Sequence, residues 1–264
     1  MKPFINNPAF LQEACNVRNN ASLFYIKSEQ DENEISFENC KLGVFADKVQ
    51  YSTDGGATWE QLTSETIITL NAGDIAYFRN PTRSEYDGAM SNKVVTTTSQ
   101  YSVGGNISGL FYPRELPRYA FKEAFLDDEN LVGANKLILK HGLLAESCYS
   151  DMFSGCTGLT TAPELPATSL AEYCYSSMFY GCTGLTTAPE LPATSLAESC
   201  YSDMFSGCTG LTTIDCYATS YAIGATSNWV NGVAEIGTFS KASDADFWET
   251  GVNGIPSGWS VVDK

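Results

Sequence analysis

The chain has 264 residues, 43% hydrophobic and 12% aromatic, enough to fold around a sizeable core and too apolar for a disordered polypeptide. Its 31 acidic residues against 15 Lys and Arg give a formal net charge of −16, which disfavours a nucleic-acid backbone or an anionic membrane surface as partner. No run of about 18 apolar residues occurs, so no segment reads as a membrane-spanning helix.

Residues 1–20 are Asn-rich and interrupted by Pro3 and Pro8. PAFLQEAC, with Pro8 at the first helical position, predicts two helical turns in what reads as an N-terminal anchor segment. MKPFINNPAFLQEACNV lacks the charged and continuous apolar regions of a secretory signal, so either export by that route is not expected or a leader has been removed.

Residues 21–112 are β-patterned. Strand-like runs at SLFYIKS, EISFENC, KVQYST, TIITL, IAYFRN, KVVTTT and YSVGGNISGL are separated by turn signals such as DENE, STDGG, NAGD and NPTRSEYDG. Short strands at this spacing predict an antiparallel, immunoglobulin-like β-sandwich. Between Tyr51 and Trp59, the residues Ser52, Asp54, Gly56, Thr58 and Trp59 resemble one Asp-box of the kind that recurs in sialidase-type propellers. The physics is that of a tight turn, with the Asp54 carboxylate accepting from nearby backbone N–H groups. A single copy predicts a structural turn and not a glycosidase.

Residues 113–221 contain the strongest signal. A 26-residue unit starts at Leu144 (LAESCYSDMFSGCTGLTTAPELPATS) and at Leu170 (LAEYCYSSMFYGCTGLTTAPELPATS), and recurs one residue shorter at Leu196 (LAESCYSDMFSGCTGLTTIDCYATS). A fixed period of this length means stacked units, because one unit cannot bury its apolar face alone. Leu144, Cys148 and Met152 fall at i, i+4 and i+8, which predicts one helical face. Gly155 would end that helix, and LTTAPELP would follow as an extended segment limited by Pro163 and Pro166. Residues 113–143 read as an irregular first repeat, with Ala124-Phe125 aligned to Met152-Phe153. Residues 222–264, with Trp229, Trp248 and Trp259, read as a C-terminal cap.

The second repeat differs from the first only at Tyr173, Ser177 and Tyr180. On a helix these three lie within an arc of about 60° on the polar side. Such a face is either solvent-exposed and tolerant of change, or a contact surface in which tyrosines supply amphipathic area. A second series, Tyr149, Tyr175 and Tyr201, reads equally as packing or recognition.

Chemistry-bearing residues are sparse. Of nine cysteines, six sit in repeat register (Cys148, Cys174, Cys200 and Cys156, Cys182, Cys208) and read as buried thiols before disulfides or a metal site. His141 is the single histidine, in LKHGLL, with no nucleophile context. The acidic clusters Asp31–Glu34 and Asp127–Glu129 lack the ligand spacing of a calcium loop and read as solvated loops. No hydrolase, phosphate-binding or dinucleotide motif occurs, so neither catalytic residues nor a cofactor or metal is expected.

The CYxxMFxGCTxLTTAPELPATxLA unit resembles the BspA-like leucine-rich repeats of gut-bacterial surface proteins and their phages. YSTDGGATWEQL, AGDIAYFRN and GGNISGL resemble the β-sandwich that often precedes them, and SNWVNGVAEIGTF with GVNGIPSGW resembles the usual tail. The resemblance implies a non-enzymatic adhesion or binding protein. The combined expectation is an α+β chain: an N-terminal antiparallel β-sandwich, then a short leucine-rich-repeat solenoid with a C-terminal cap. In function it is a bacteriophage virion component (fibre, tail or capsid decoration), assembled in the host cytoplasm and contacting the host surface or neighbouring virion proteins. A bacterial cell-surface adhesin binding protein or glycan is the alternative, and a glycan-active enzyme a distant third. The partners expected are protein, glycan or a further copy of the chain, with no nucleic acid and no membrane insertion.

Overall fold

Alternation of apolar and polar residues sets the N-terminal half. In the computed structural model, which describes residues 23–38, 40, 46–81, 93–110, 116–139 and 142–264, each of the seven β-rich runs contributes a strand. The anchor segment 1–20, with its expected helical turns, and His141 lie outside the described residues. The strands are β1 Phe24–Ser28, β2 Asn33–Ser36, β3 Gln50–Ser52, β4 Glu60–Gln61, β5 Ile67–Leu70, β6 Ile75–Arg79, β7 Thr96–Thr97, β8 Tyr101–Asn106 and β9 Leu131–Ile138.

They form a six-stranded sheet in the order β4-β3-β6-β1-β8-β9 and a three-stranded sheet in the order β5-β2-β7. Register places Ile26 opposite Ala76 on one side and Val103 on the other. Phe24, Ile26, Ala76 and Phe78 are buried on one face, as period-2 alternation requires. Ile35, Ile68 and Leu70 of the second sheet join the same core, and Phe37 meets Phe78 edge-on with ring centroids 5.9 Å apart.

The repeats overturn the helical expectation. The described residues contain no α-helix, and helical geometry is confined to 3-10 turns at Ala46–Lys48 and Ile107–Leu110. The described residues are therefore almost wholly strand and turn, not an α+β leucine-rich-repeat solenoid. In place of a helix, each repeat forms a ribbon of consecutive turns with alternating hydrogen bonds. Cys148, Ser150, Met152, Ser154 and Cys156 donate their N–H to the carbonyl three residues back. Between them, Ser147, Tyr149, Asp151, Phe153 and Gly155 donate to Glu172, Cys174, Ser176, Met178 and Tyr180 in the next repeat. All ten N–H groups are satisfied, half locally and half by the neighbour.

This geometry turns a corner every fourth residue. Ser147, Asp151 and Gly155 have φ of 54°, 55° and 75°, and the next repeat places Tyr173, Ser177 and Gly181 at 54°, 53° and 69°. Left-handed corners at non-glycine residues cost about 1–2 kcal/mol each. Ring burial offsets them. Tyr149–Tyr175 stack at 5.7 Å, Phe153–Phe179 at 5.5 Å and Phe179–Phe205 at 5.8 Å. Helices pack about 8–10 Å apart, too far for this contact between equivalent rings.

The ribbon extends beyond the three near-identical repeats at both ends. Tyr119, Phe121, Glu123, Phe125 and Asp127 donate to Glu146, Cys148, Ser150, Met152 and Ser154, and Phe125 stacks on Phe153 at 5.4 Å. At the other end, Tyr201, Asp203, Phe205 and Gly207 donate to Ala225, Ser227, Trp229 and Asn231. Trp229 is fully buried, stacks on Tyr201 at 6.3 Å and touches Phe205 at 6.2 Å, so one indole joins both ring columns.

The extended segments add a second ladder. β9 pairs in parallel with β8 and bridges to the first repeat through Gly133 and Thr161. The sandwich sheet thus runs directly into the repeats. Where APELP occurs, contacts between segments are isolated bridges. Where IDCY replaces it, β11 Thr213–Cys216 forms a full strand; β10 Ser195–Leu196 pairs with β12 Ser220–Tyr221, while β11 pairs with β13 Thr238–Lys241 and β13 in turn with β14 Ser260–Asp263. Proline lacks the N–H that a ladder needs.

Two glycines of one repeat are held for different reasons, and substitution separates them. Gly181 needs its positive φ, whereas an added Cβ there would meet nothing nearer than 4.0 Å. At Gly184 a Cβ would lie 2.9 Å from the Thr157 carbonyl oxygen and 3.0 Å from that of Leu159. Gly181→Ala is expected to cost about 1 kcal/mol through backbone strain, and Gly184→Ala about 2–3 kcal/mol through overpacking between repeats. Urea unfolding of both variants measures the difference.

Candidate functional site

The three positions that distinguish the second repeat lie on the outer side of the ribbon. Tyr173 and Ser177 occupy consecutive left-handed corners, held by N–H bonds to the carbonyls of Glu198 (3.1 Å) and Ser202 (2.8 Å). They therefore do not share a helical face as the i, i+4, i+7 spacing predicted. Tyr173 and Ser177 share a line of corners, and Tyr180 immediately precedes the next corner, Gly181. Tyr173 is 38% exposed and Tyr180 48% exposed. Their counterparts in the flanking repeats are serines: Ser147 and Ser199 for Tyr173, Ser154 and Ser206 for Tyr180. Ser147, Ser154 and Ser206 are buried, so the two tyrosines are the bulky groups that project at these levels.

Ser177 has an electrostatic account. Its counterparts Asp151 and Asp203 sit on either side, and burial first, with the Asp203 charge adding, pushes the Asp151 carboxyl above its usual range. Ser150 and Ser202 donate hydroxyl hydrogen bonds to Asp151 and Asp203, at 2.7 and 3.1 Å. A third carboxylate at 177 would add like-charge repulsion, and serine removes it. The patch is thus two half-exposed phenols set among acidic corners.

Tyr149, Tyr175 and Tyr201 are corrected as candidate binding residues. They are at most 1% exposed and form the interior ring column from Phe121 to Trp229, so no surface partner reaches them.

The Asp-box residues are all brought together. The Ser52 hydroxyl donates to Asp54 Oδ1 at 2.7 Å and accepts from the Gly56 N–H at 2.8 Å. Both Asp54 oxygens accept from the Thr58 N–H at 2.9 Å, and Oδ2 accepts the Thr58 hydroxyl at 2.5 Å. Trp59 donates Nε1 to the Gly56 carbonyl, and the Arg79 guanidinium lies 3.9 Å from the centre of the Trp59 ring. With its carboxylate fully engaged by its own hairpin, Asp54 has the geometry of a turn.

The thiols are chemically quiet. The six repeat-register cysteines and Cys216 are fully buried and free of disulfides. Burial pushes Cys148, Cys156, Cys200, Cys208 and Cys216 up to about 12, and Cys174 and Cys182 well above the ordinary thiol range. Cys156, Cys182 and Cys208 donate S–H to the carbonyls of Phe125, Phe153 and Phe179 at 2.9–3.0 Å, which cross-links successive ribbons.

Among the described residues no cluster of His, Cys, Asp or Glu could hold a metal ion. The expectation of a solvated loop fails at Asp128, which is 4% exposed and accepts the Tyr101 hydroxyl at 2.8 Å. That bond ties β8 to the first ribbon. Asp31 accepts the Ala72 N–H at 3.0 Å.

Sequence reasoning passed over a concavity at the far end of the stack, lined by Tyr221, Phe247, Trp248, Glu249 and Asn253. The clustering of aromatics after residue 220 was its only visible sign. Comparison with protein-family models, curated proteins and solved structures finds no match to any of them.

Two outcomes test these assignments. Asp54 is lowered from 3.8 to about 2, chiefly by the Thr58 hydroxyl bond, so its contribution is present above about pH 4 and lost as pH falls through about 2. The Thr58 amide proton resonance is expected to titrate with a midpoint near 2, and in Asp54→Asn that titration disappears. The seven repeat-region cysteines are expected not to react with an aromatic disulfide reagent at pH 8 in the native protein, and to react in full in denaturant.

Proposed function

We propose that the chain is a non-enzymatic display and adhesion protein whose outer corner face makes the contact. One observation carries this reading. The second repeat is identical to the first except at three positions on the ribbon's outer side, two of which become half-exposed tyrosines. Exposed tyrosines contribute heavily to protein recognition, because they add contact area at little conformational cost. The buried, strongly protonated thiols and the self-satisfied Asp54 supply no nucleophile or general base.

The sequence resemblance supports placing such a face on a bacteriophage virion, in contact with the host surface or with neighbouring virion proteins. The same face on a bacterial cell, binding host protein or glycan, is the second reading and draws on the same resemblance. The acidic surface suits either, since the net charge of −16 limits non-specific association with polyanions.

Adhesion of the labelled protein to a panel of gut bacterial strains and epithelial cells tests the proposal. Tyr173→Ser with Tyr180→Ser is expected to weaken adhesion at least tenfold. The unfolding midpoint should stay unchanged, because serine already occupies these levels in the flanking repeats. Equal adhesion of the double variant would sink the corner face as the contact surface.

A further inference from the structure

The Tyr149–Tyr175–Tyr201 column does not stop inside the protein. It continues through Trp229 to Trp248, stacked at 5.5 Å with planes 18° apart, and Trp248 lines a cleft of about 460 Å³. That volume is in the range of small-molecule sites. Phe247 and Tyr221 extend the wall: Trp248 and Phe247 have centroids 4.8 Å apart, as do Phe247 and Tyr221, with tilts of 32° and 41°. Tyr221 is 55% exposed.

The rest of the lining mixes small and apolar residues, Ala225 and Val252 among them, with polar ones held in part by their own loop. Asn253 Oδ1 accepts the Asn228 N–H and its carbonyl accepts the Thr226 hydroxyl, both at 2.7 Å, which leaves Nδ2 to donate elsewhere. Trp229 Nε1 donates to the Gly254 carbonyl at 2.8 Å, which anchors the same loop. Glu249, Ser227 and Thr250 are the further polar residues of the lining.

The chemistry of this lining selects among ligand classes. A phosphate or nucleotide would find Glu249 and no Lys or Arg in the cleft. A quaternary ammonium needs rings on several sides, each within about 6 Å of the cation. Here the rings lean on one another in a single row that ends at the exposed Tyr221. A purely apolar ligand would leave the carboxylate and amide desolvated without partners. A pyranose fits each element: its C–H face packs on the exposed ring of Tyr221 at the end of the aromatic row, and its hydroxyls pair with the polar groups of Glu249, Asn253 and Ser227.

We propose that this cleft is a saccharide-binding site for a neutral pyranose. The proposal deepens the adhesion reading by giving it a glycan partner, but it places that contact at the end of the stack and not on the corner face.

The probes are glucose, galactose, mannose, N-acetylglucosamine, N-acetylgalactosamine and their disaccharides, with choline as a cationic control, measured by saturation-transfer NMR and calorimetry. At least one saccharide is expected to bind with a Kd on the order of 0.1–10 mM. Tyr221→Ala and Glu249→Gln should each weaken it at least tenfold, with unchanged unfolding midpoints because both side chains are exposed. Absence of saccharide binding in the wild type overturns the proposal. So does binding that both variants retain, or binding of choline alone. Saccharide binding lost in Tyr221→Ala but kept in Tyr173→Ser/Tyr180→Ser supports the cleft whatever the cell-adhesion result. Adhesion lost only in the double tyrosine variant tells on the corner face alone.

Discussion

The alternation of backbone hydrogen bonds is the constraint on which the rest depends. Every second N–H in a ribbon points at the next repeat, so the chain cannot close those bonds within itself as a helix does. Neighbouring backbones must approach to hydrogen-bonding distance, and equivalent side chains are then forced into register. Rings stack at 5.4–6.3 Å because they have no other place to go. The left-handed corners are the accompanying cost. Serine, aspartate and tyrosine accept that conformation here because the ladder and the packed interior over-determine it.

The ends of the stack are where the chain departs from repetition. On one side β9 belongs to two structures at once, pairing with β8 and with the first repeat, and the Tyr101–Asp128 hydrogen bond secures the joint from within. On the other, Trp229 joins two columns in one side chain and the half-buried Trp248 stacks beyond it. The interior of the repeats is given wholly to cohesion. What remains for recognition is the line of corners and the far end.

Much of this was legible in the residues. The strands of the N-terminal half were visible because one buried face imposes period 2, and the register of the irregular unit was visible in the alignment of Phe125 with Phe153. The helix was a misreading with a definite cause. Residues 148, 149, 152, 153 and 156 point inward, a two-in, two-out pattern with a period of four. An α-helix advances about 400° in four residues, so over two turns the patterns differ by only about 80° and periodicity cannot separate them. The same ambiguity left Tyr149 without an assigned side. The final ribbon was hidden because only its corners persist, at Gly224, Asn228 and Gly232. Residues that tolerate positive φ at every fourth position were the signal that would have revealed it.

Because the ladder joins each repeat only to its neighbours, the inner units are exchangeable and the two ends are not. Duplication or loss of 26 residues through recombination would leave both terminal joints intact and change only their separation, by about 4.8 Å per unit in the strand layer. Repeat number therefore sets the length of the stack independently of the design of either end.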